Sequence, residues 1–161
     1  MTERPSTSSR PAGGAYAPFR PHRGAWVALA AAVVTLVVLG GLAVLLPAEG
    51  ATGWGFADRA LLLLFALAVA AFLLRYAALR AVPSPEGLRV VNLLRTHQLQ
   101  WAQVLRVGAL SGGAPWVVLE LTDTEEVPVM AIQRADGEFG RREAARLSAL
   151  VAHHTRTGQD E

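Results

Sequence analysis

Three groups of side chains in this sequence have residue types that could support chemistry. His153 and His154 are adjacent, Asp123 lies close to Glu125 and Glu126, and Ser111-Gly112-Gly113 is a short glycine run. Adjacent residues of a helix point about 100° apart, and no third ligand is close to the histidines in sequence. Two solvated imidazoles near the negative end of a helix are therefore favoured over a metal site.

The other two groups also favour structural roles. The three carboxylates lie between two strand-like runs, where they are more typical of a soluble hairpin turn than of a catalytic pair. The glycine run lacks the lysine and the strand–loop–helix context of a phosphate-binding loop. The sequence therefore predicts no catalytic, cofactor-binding or metal-binding residue and no cofactor, and we interpret the protein as non-enzymatic.

Two apolar runs dominate the first half of the chain. Ala25–Leu46 has 22 residues without an ionisable group, and Ala60–Leu74 has 15 before Arg75. A helix rises about 1.5 Å per residue and must cross a hydrocarbon core of roughly 30 Å, so the first run is long enough. The second run is long enough only if it continues to Leu79 with Arg75 snorkelling to the surface. We predict a transmembrane hairpin over residues 25–80, with spans at 25–46 and 60–79, rather than a cleaved signal peptide.

The distribution of charge predicts the topology of this hairpin. All 15 basic residues are arginines. Arginines precede the first run and follow the second, whereas the turn between the runs has only Glu49 and Asp58 as ionisable residues before Arg59. By the positive-inside rule, both termini face the cytoplasm of a multi-pass cell-membrane protein. The predicted membrane-interface residues are Trp26, Trp54, Arg75, Tyr76 and Arg80.

Charge also excludes two classes of function. Residues 81–161 have eight arginines against ten carboxylates, so they lack the basic footprint of a nucleic-acid-binding domain. The spans contain no central ionisable residue, which argues against a proton or ion pathway. Small residues at Ala28/Ala32, Ala66/Ala70 and Gly40-Gly41 could pack the two helices together or form a homo-oligomer.

The terminal segments lack an apolar period. Residues 1–24 are rich in Pro, Ser and Gly and predict a disordered cytoplasmic tail, with an arm that contacts lipid or a partner as the alternative. Residues 155–161 are also predicted to be disordered. Between the hairpin and this C-terminus, residues 81–154 predict one small α+β domain.

That domain begins after a junction at Ala81–Pro85 and ends in a helix that Asp136 could cap. Residues Ala144, Leu147 and Val151 form the apolar stripe of this helix. We expect an antiparallel curled sheet or half-barrel capped by the helix. Its predicted strands are Gly87–Leu93, Thr96–Trp101, Gln103–Leu110, Trp116–Leu121 and Glu126–Ile132, the last at an edge or bulge because of Pro128.

Four segments of the domain, Pro85–Asn92, Leu99–Val104, Pro115–Leu119 and Met130–Gln133, together resemble the bacterial PH-like domain family. The chain is similar to the membrane-anchored actinobacterial type of this family, which is related to the low-molecular-weight protein antigen 6 group. The resemblance implies a PH-like barrel or half-barrel with a capping helix, preceded by one or two membrane helices. It implies no known ligand.

The predicted function is that of a membrane protein presenting this domain at the cytoplasmic surface to a protein partner or to anionic lipid headgroups. The alternative is a structural subunit of a larger membrane assembly that interacts through its hairpin. Trp101 and Trp116 are interpreted as core residues, with ligand stacking as the alternative. The predicted contact residues, which could instead form solvated ion pairs, are Arg89, Arg95, Arg141, Arg142 and Arg146.

Overall fold

The computed structural model describes residues 14, 16–47, 53–108, 110 and 113–157. Two long helices come first, followed by six strands and a third helix. The elements are α1 (His22–Leu45), α2 (Phe56–Ala77), β1 (Arg80–Pro83), β2 (Gly87–Val91), β3 (Thr96–Gln100), β4 (Val104–Val107), β5 (Trp116–Leu121), β6 (Glu126–Gln133) and α3 (Glu138–Thr157).

The helices α1 and α2 pack against each other through alanines. Ala28, Ala32 and Ala43 of α1 are buried, as are Ala66 and Ala70 of α2, because small side chains let two helix backbones approach closely. Most of the larger apolar side chains remain exposed, which a core helix of a soluble domain would not allow. Both helices are long and apolar enough to cross a membrane.

Polar contacts lie at the two helix ends beside the hairpin turn. The Arg59 guanidinium donates to the Leu46 carbonyl at the end of α1 over 2.6 Å, and the Asp58 carboxylate accepts from the Gly55 N–H over 3.0 Å. This cap lets α2 begin at Phe56, and the helix ends at Ala77. The helix thus begins four residues earlier and ends two residues earlier than the predicted second span, residues 60–79, whose position in a membrane stays a prediction.

Two antiparallel three-stranded sheets form the domain, in the orders β1-β2-β3 and β4-β5-β6. Ala81–Pro83, predicted to be a junction, belongs instead to β1, and Arg80 pairs with Val91. Pro128 lies in β6, at one edge of the second sheet, as predicted. The α+β fold class is confirmed, and the two sheets do not close into a barrel within the described part of the chain.

The core lies between the sheets and α3. Its largest fully buried side chains include Leu88, Val90, Leu119, Ile132 and Leu147. The predicted helix stripe is confirmed, with Leu147 and Val151 buried and Ala144 packed against the core. Asn92 joins the sheets: its amide donates to the Pro128 carbonyl over 2.6 Å, and its side-chain oxygen accepts from the Met130 N–H over 3.3 Å.

Phe19 is a core residue of the domain although it precedes both membrane-type helices. Its side chain has no exposed surface, and its backbone N–H and carbonyl both hydrogen-bond to Ala81, over 2.8 and 3.0 Å. The prediction of a disordered tail through Gly24 therefore does not hold for residues 16–24, and the predicted disorder of residues 155–161 does not hold for 155–157, where α3 continues. Residues 1–13, 15 and 158–161 lie outside the described part. Composition favoured disorder, but the buried Phe19 ring, its backbone pairing with Ala81 and the polar contacts of the residues on either side of it together offset the cost of ordering this short segment.

Candidate membrane-junction site

A carboxylate from the domain caps the first helix of the hairpin. The two Asp136 oxygens accept hydrogen bonds from the backbone N–H groups of His22 and Arg23, over 3.1 and 2.9 Å. The residue at the cap position of α1 is Pro21, which has no side-chain acceptor, so Asp136 satisfies donors that would otherwise lack a partner. Asp136 was predicted to cap α3. That prediction is wrong, because α3 begins only at Glu138.

A second contact joins the end of α2 to the domain. The Gln133 side-chain amide donates to the Tyr76 hydroxyl over 2.9 Å and to the Met130 carbonyl over 3.0 Å. The first turn of α1 lies against the same pair. A Cβ on Gly24 would lie 3.0 Å from the Gln133 side-chain oxygen and 3.4 Å from the Tyr76 ring, so glycine permits this close approach. Both helices of the hairpin are thus tied to the end of β6.

A strap, defined here as Tyr16–Arg20, holds the domain from a third direction. The Arg146 guanidinium lies 3.9 Å from the centre of the Phe19 ring and donates to the Ala17 carbonyl over 2.9 Å. Its half-buried ion pair with Glu143 spans 2.7 Å. Arg146 was predicted to be a surface contact for a partner or headgroup, but the structure uses it to hold the strap.

The other end of the strap reaches His154. The His154 ring stacks on Trp101 with centroids 4.7 Å apart and planes 2° from parallel, and its Nε2 lies 3.0 Å from the Tyr16 hydroxyl. Trp101 is buried, as predicted. His154 is not the solvated imidazole that its position suggested. Burial, and secondarily the charge of the adjacent His153, lowers the pKa of His154.

We expect acid to weaken the strap. Because folding lowers the pKa of His154, the neutral ring is favoured in the folded state, and its full contribution is present above the unfolded pKa of about 6.5. That contribution is lost as the pH falls below this value and through the folded pKa. The protection factors of the Phe19 and Ala81 amides, which are exchange rates corrected for the intrinsic pH dependence of amide exchange, should therefore fall on acidification.

The titratable groups that face the His154 ring provide the controls for this expectation. His153 and Tyr16 are the titratable neighbours of the His154 ring. His154→Gln should reduce the acid response, whereas His153→Gln should shift it to higher pH, because the neighbouring charge is removed. An equal acid response in wild type and His154→Gln would assign the effect to other groups.

Five arginines surround the junction, and we call them the junction arginines. Each takes part in a junction contact through its backbone or is adjacent in sequence to a residue that does. Among the described residues, none of them forms an ion pair with a carboxylate, whereas Arg106, Arg141 and Arg146 each do. The junction arginines are Arg20, Arg23, Arg75, Arg80 and Arg134.

Strand register brings one further predicted cation to this end of the domain. Arg80 pairs with Val91, which pairs with Thr96, so the turn between β2 and β3 lies at the end where β1 begins. Arg95 is exposed in that turn, beside Leu94, whose surface is 90 % exposed. Arg89 is also exposed, but it lies two residues before Val91 in β2 and is therefore farther from this end of the domain.

The remaining predicted residues lie on α3, at the junction, beside the hairpin turn or in the first half of α1. Arg141 and Arg142 are exposed in the first part of α3, and the ion pair of Arg141 with Glu138 lowers the pKa of that carboxyl. Tyr76 and Arg75 lie at the junction, Trp54 lies beside the hairpin turn, and Trp26 is exposed on α1. The membrane depth assigned to these side chains stays a prediction.

Sequence reasoning missed Phe19, Gly24, Gln133 and Arg134 as junction residues. Phe19 and Tyr16 are the only aromatic residues of the first 24, and that isolation was the available signal. Arg134 follows the last strand directly and had no distinguishing spacing. Gly24 and Gln133 carry no local signal, because their roles depend on contacts between distant segments.

Comparison with known proteins agrees with this architecture. The family model described as bacterial PH domain matches residues 77–150. An uncharacterized protein of Mycobacterium bovis and uncharacterized proteins of two Mycobacterium tuberculosis strains are each 35 % identical over 137 residues, covering 84 % of this chain and 88 % of theirs. No solved structure matches.

The class of protein follows from these observations. Two apolar helices, each long enough to span a membrane, precede a PH-like domain of two antiparallel sheets and a C-terminal helix. The chain belongs to the bacterial PH domain family, and the resemblance predicted from its sequence is confirmed.

Proposed function

We propose that this protein is a non-enzymatic membrane protein that holds its PH-like domain at a fixed orientation on the cytoplasmic membrane surface, where the domain binds partners. The observation that carries this proposal is the Asp136 cap on α1. A domain on a flexible linker would sample many orientations, but this domain supplies hydrogen-bond acceptors to the helix that would anchor it. Its outer faces are therefore presented in a defined direction.

The junction arginines support placement against an anionic leaflet. Cytoplasmic leaflets attract cations at about 1 kcal/mol for each Lys or Arg near the surface, and arginines without carboxylate partners are available for that attraction. Arg95 and the exposed Leu94 lie at the same end, where a cation would meet headgroups and a leucine would enter the apolar boundary. The positive-inside rule favours the same orientation.

For a protein partner we propose the groove between β4 and α3. It encloses about 490 Å³ and is lined by Leu105, Val107 and Val151, and Leu105 is 67 % exposed. Within the described residues, β4 pairs with β5 on one side only, so an extended segment of a partner could add to its other edge. Confinement to the membrane would raise the effective concentration of the domain for a membrane-bound partner.

Single-cysteine variants test the topology without background, because the chain contains no cysteine. We expect Ala57→Cys, at the start of α2, to react with a membrane-impermeant maleimide in intact cells. Ala102→Cys, exposed in the domain, should react only after the membrane is permeabilised. The reverse labelling pattern would overturn the proposed orientation, and equal labelling in intact cells would overturn the membrane-spanning hairpin.

Assembly through the hairpin is the second candidate function. It is favoured by Gly40 and Gly41, beside which a Cβ would meet no atom within 4 Å, so this part of α1 has room for another helix. Crosslinking from Leu105→Cys and from Val37→Cys distinguishes the two functions. Protein adducts from Leu105→Cys support the domain as the binding surface, whereas adducts from Val37→Cys alone support hairpin assembly.

A further inference from the structure

A cleft opens where the end of α2 meets the ends of β5 and β6. It encloses about 420 Å³ and is lined by Tyr76, Trp116, Gln133 and Arg134, with smaller side chains around them. This volume is within the range of small-molecule sites, roughly 300–1,000 Å³. Tyr76 belongs to the last turn of an apolar helix, so the cleft lies where α2 would leave the hydrocarbon.

The cleft is rich in hydrogen-bond donors that lack acceptors. The Tyr76 hydroxyl accepts from Gln133, and its own proton has no acceptor among the described residues. The same is true of the Trp116 indole N–H and of the Arg134 guanidinium in the part of the chain that the structure describes. No described carboxylate lines the cleft. Such a set of donors favours an anionic ligand with several oxygens.

Arg134 also borders a second cavity, of about 310 Å³, on the side of the chain that leads to α3. The other residues lining this cavity are Leu110, Gly137 and Arg141. Arg141 is held by Glu138, whereas Arg134 forms no ion pair with a described residue. The guanidinium is thus bordered by open space on both sides. Its connection to the fold runs through its backbone, since its N–H donates to the Pro115 carbonyl over 2.9 Å.

We infer that this cleft is a specific headgroup site for one anionic phospholipid. The phosphate oxygens accept from Arg134, Trp116 and Tyr76, and the acyl chains follow the exposed apolar side of α2, where Phe72 lies. This inference rests on the membrane placement proposed above. It goes beyond that placement because it assigns selectivity to one cleft rather than to the sum of the surface charges.

Lipid selectivity of the full-length protein tests the site. We would measure association of spin-labelled phosphatidylglycerol relative to phosphatidylcholine, with the protein reconstituted in phosphatidylcholine vesicles. Arg134→Gln and Trp116→Leu should each lower the relative association at least threefold. Arg134→Lys should recover it only in part, because lysine lacks the bidentate fork. Arg80→Gln is the matched control: it removes the same charge from the junction but does not line the cleft.

The outcomes separate this inference from the proposed function. Equal losses in Arg134→Gln and Arg80→Gln would overturn the cleft and leave diffuse attraction at the membrane surface standing. Unchanged selectivity in both Arg134→Gln and Trp116→Leu would also overturn it. Displacement of the spin-labelled lipid by soluble glycerol phosphate would assign the cleft to a free phosphate ester instead. Circular dichroism of each variant confirms that the fold is retained, as expected from the backbone role of Arg134.

Discussion

Replacing Phe19 with alanine is expected to lower the free energy of unfolding of the PH-like domain by about 3–5 kcal/mol, the usual cost of truncating a fully buried phenylalanine. The ring has no exposed surface, lies under the Arg146 guanidinium and belongs to the same core as Leu88 and Leu147. Since small domains have stabilities of about 5–15 kcal/mol, this change removes a large part of the total.

The same contact makes a prediction about fragments. A fragment that begins at Arg80 lacks Phe19 and the backbone pairing of Phe19 with Ala81, so we expect it to unfold at a lower temperature than the domain in the full chain. Adding a peptide of residues 14–21 should restore part of the difference. Thermal unfolding of the full chain and of the fragment, both in the same detergent solution, provides the measurement.

Neighbours on the strap provide controls for Phe19→Ala. Pro18 and Arg20 are exposed, so Pro18→Ala and Arg20→Ala should change the stability of the domain by less than about 1 kcal/mol. Phe19→Leu should retain much of the buried volume and have an intermediate effect. If Phe19→Ala were as stable as Arg20→Ala, the strap would not belong to the core.

The parts of the fold that the sequence predicted are those governed by local periodicity. Strand β5 alternates between half-buried and buried positions, and α3 buries Leu147 and Val151 at helical spacing. In both cases one face of a single element packs on the core, and the spacing of apolar residues reports this directly. The prediction of β1 failed because the strand is short, Pro83 lies at its end and Pro85 follows it, a pattern typical of a junction.

The parts that could not be predicted depend on contacts between distant segments. Asp136 lies 114 residues from His22, and Tyr16 lies 138 residues from His154, so no local pattern encodes either pair. The candidate site shows the same limit. Arginine as the residue type was predictable, but Arg141 and Arg146 pair with carboxylates three residues away. Arg134, which was not predicted, forms no ion pair with any residue that the structure describes.

These contacts between distant segments join the strap, the hairpin and the domain at the junction. The strap enters the domain core through Phe19, the chain then continues directly into α1, and α2 returns it to β1. The hairpin is thus an insertion between two parts of the same folded domain rather than a leader attached to its end. A tilt of the hairpin would be transmitted to the core from both sides, and the Asp136 cap and the Gln133–Tyr76 hydrogen bond are polar contacts that hold the angle.

Replacing Asp136 with alanine is therefore expected to loosen the domain on the hairpin while leaving the domain folded. Loss of a helix cap costs about 0.5–2 kcal/mol, and here the backbone N–H groups of both His22 and Arg23 lose their acceptor. The negative charge near the N-terminus of α1 is lost as well, which adds to the effect. Hydrogen exchange at the first turn of α1 should accelerate several-fold, with little change at β5.

Two variants make this expectation specific. Asp136→Asn keeps a side-chain oxygen but loses the charge, so it should retain part of the protection at α1. Asp123→Ala removes an exposed carboxylate in the turn between β5 and β6. Within the described ranges this carboxylate accepts only the Glu125 N–H, over 3.1 Å, so its loss should leave exchange at α1 unchanged. Spin labels at Ala57→Cys and Ala102→Cys should give a broader distance distribution in Asp136→Ala than in wild type. An unchanged distribution would mean that Phe19 and Gln133 fix the orientation without the cap.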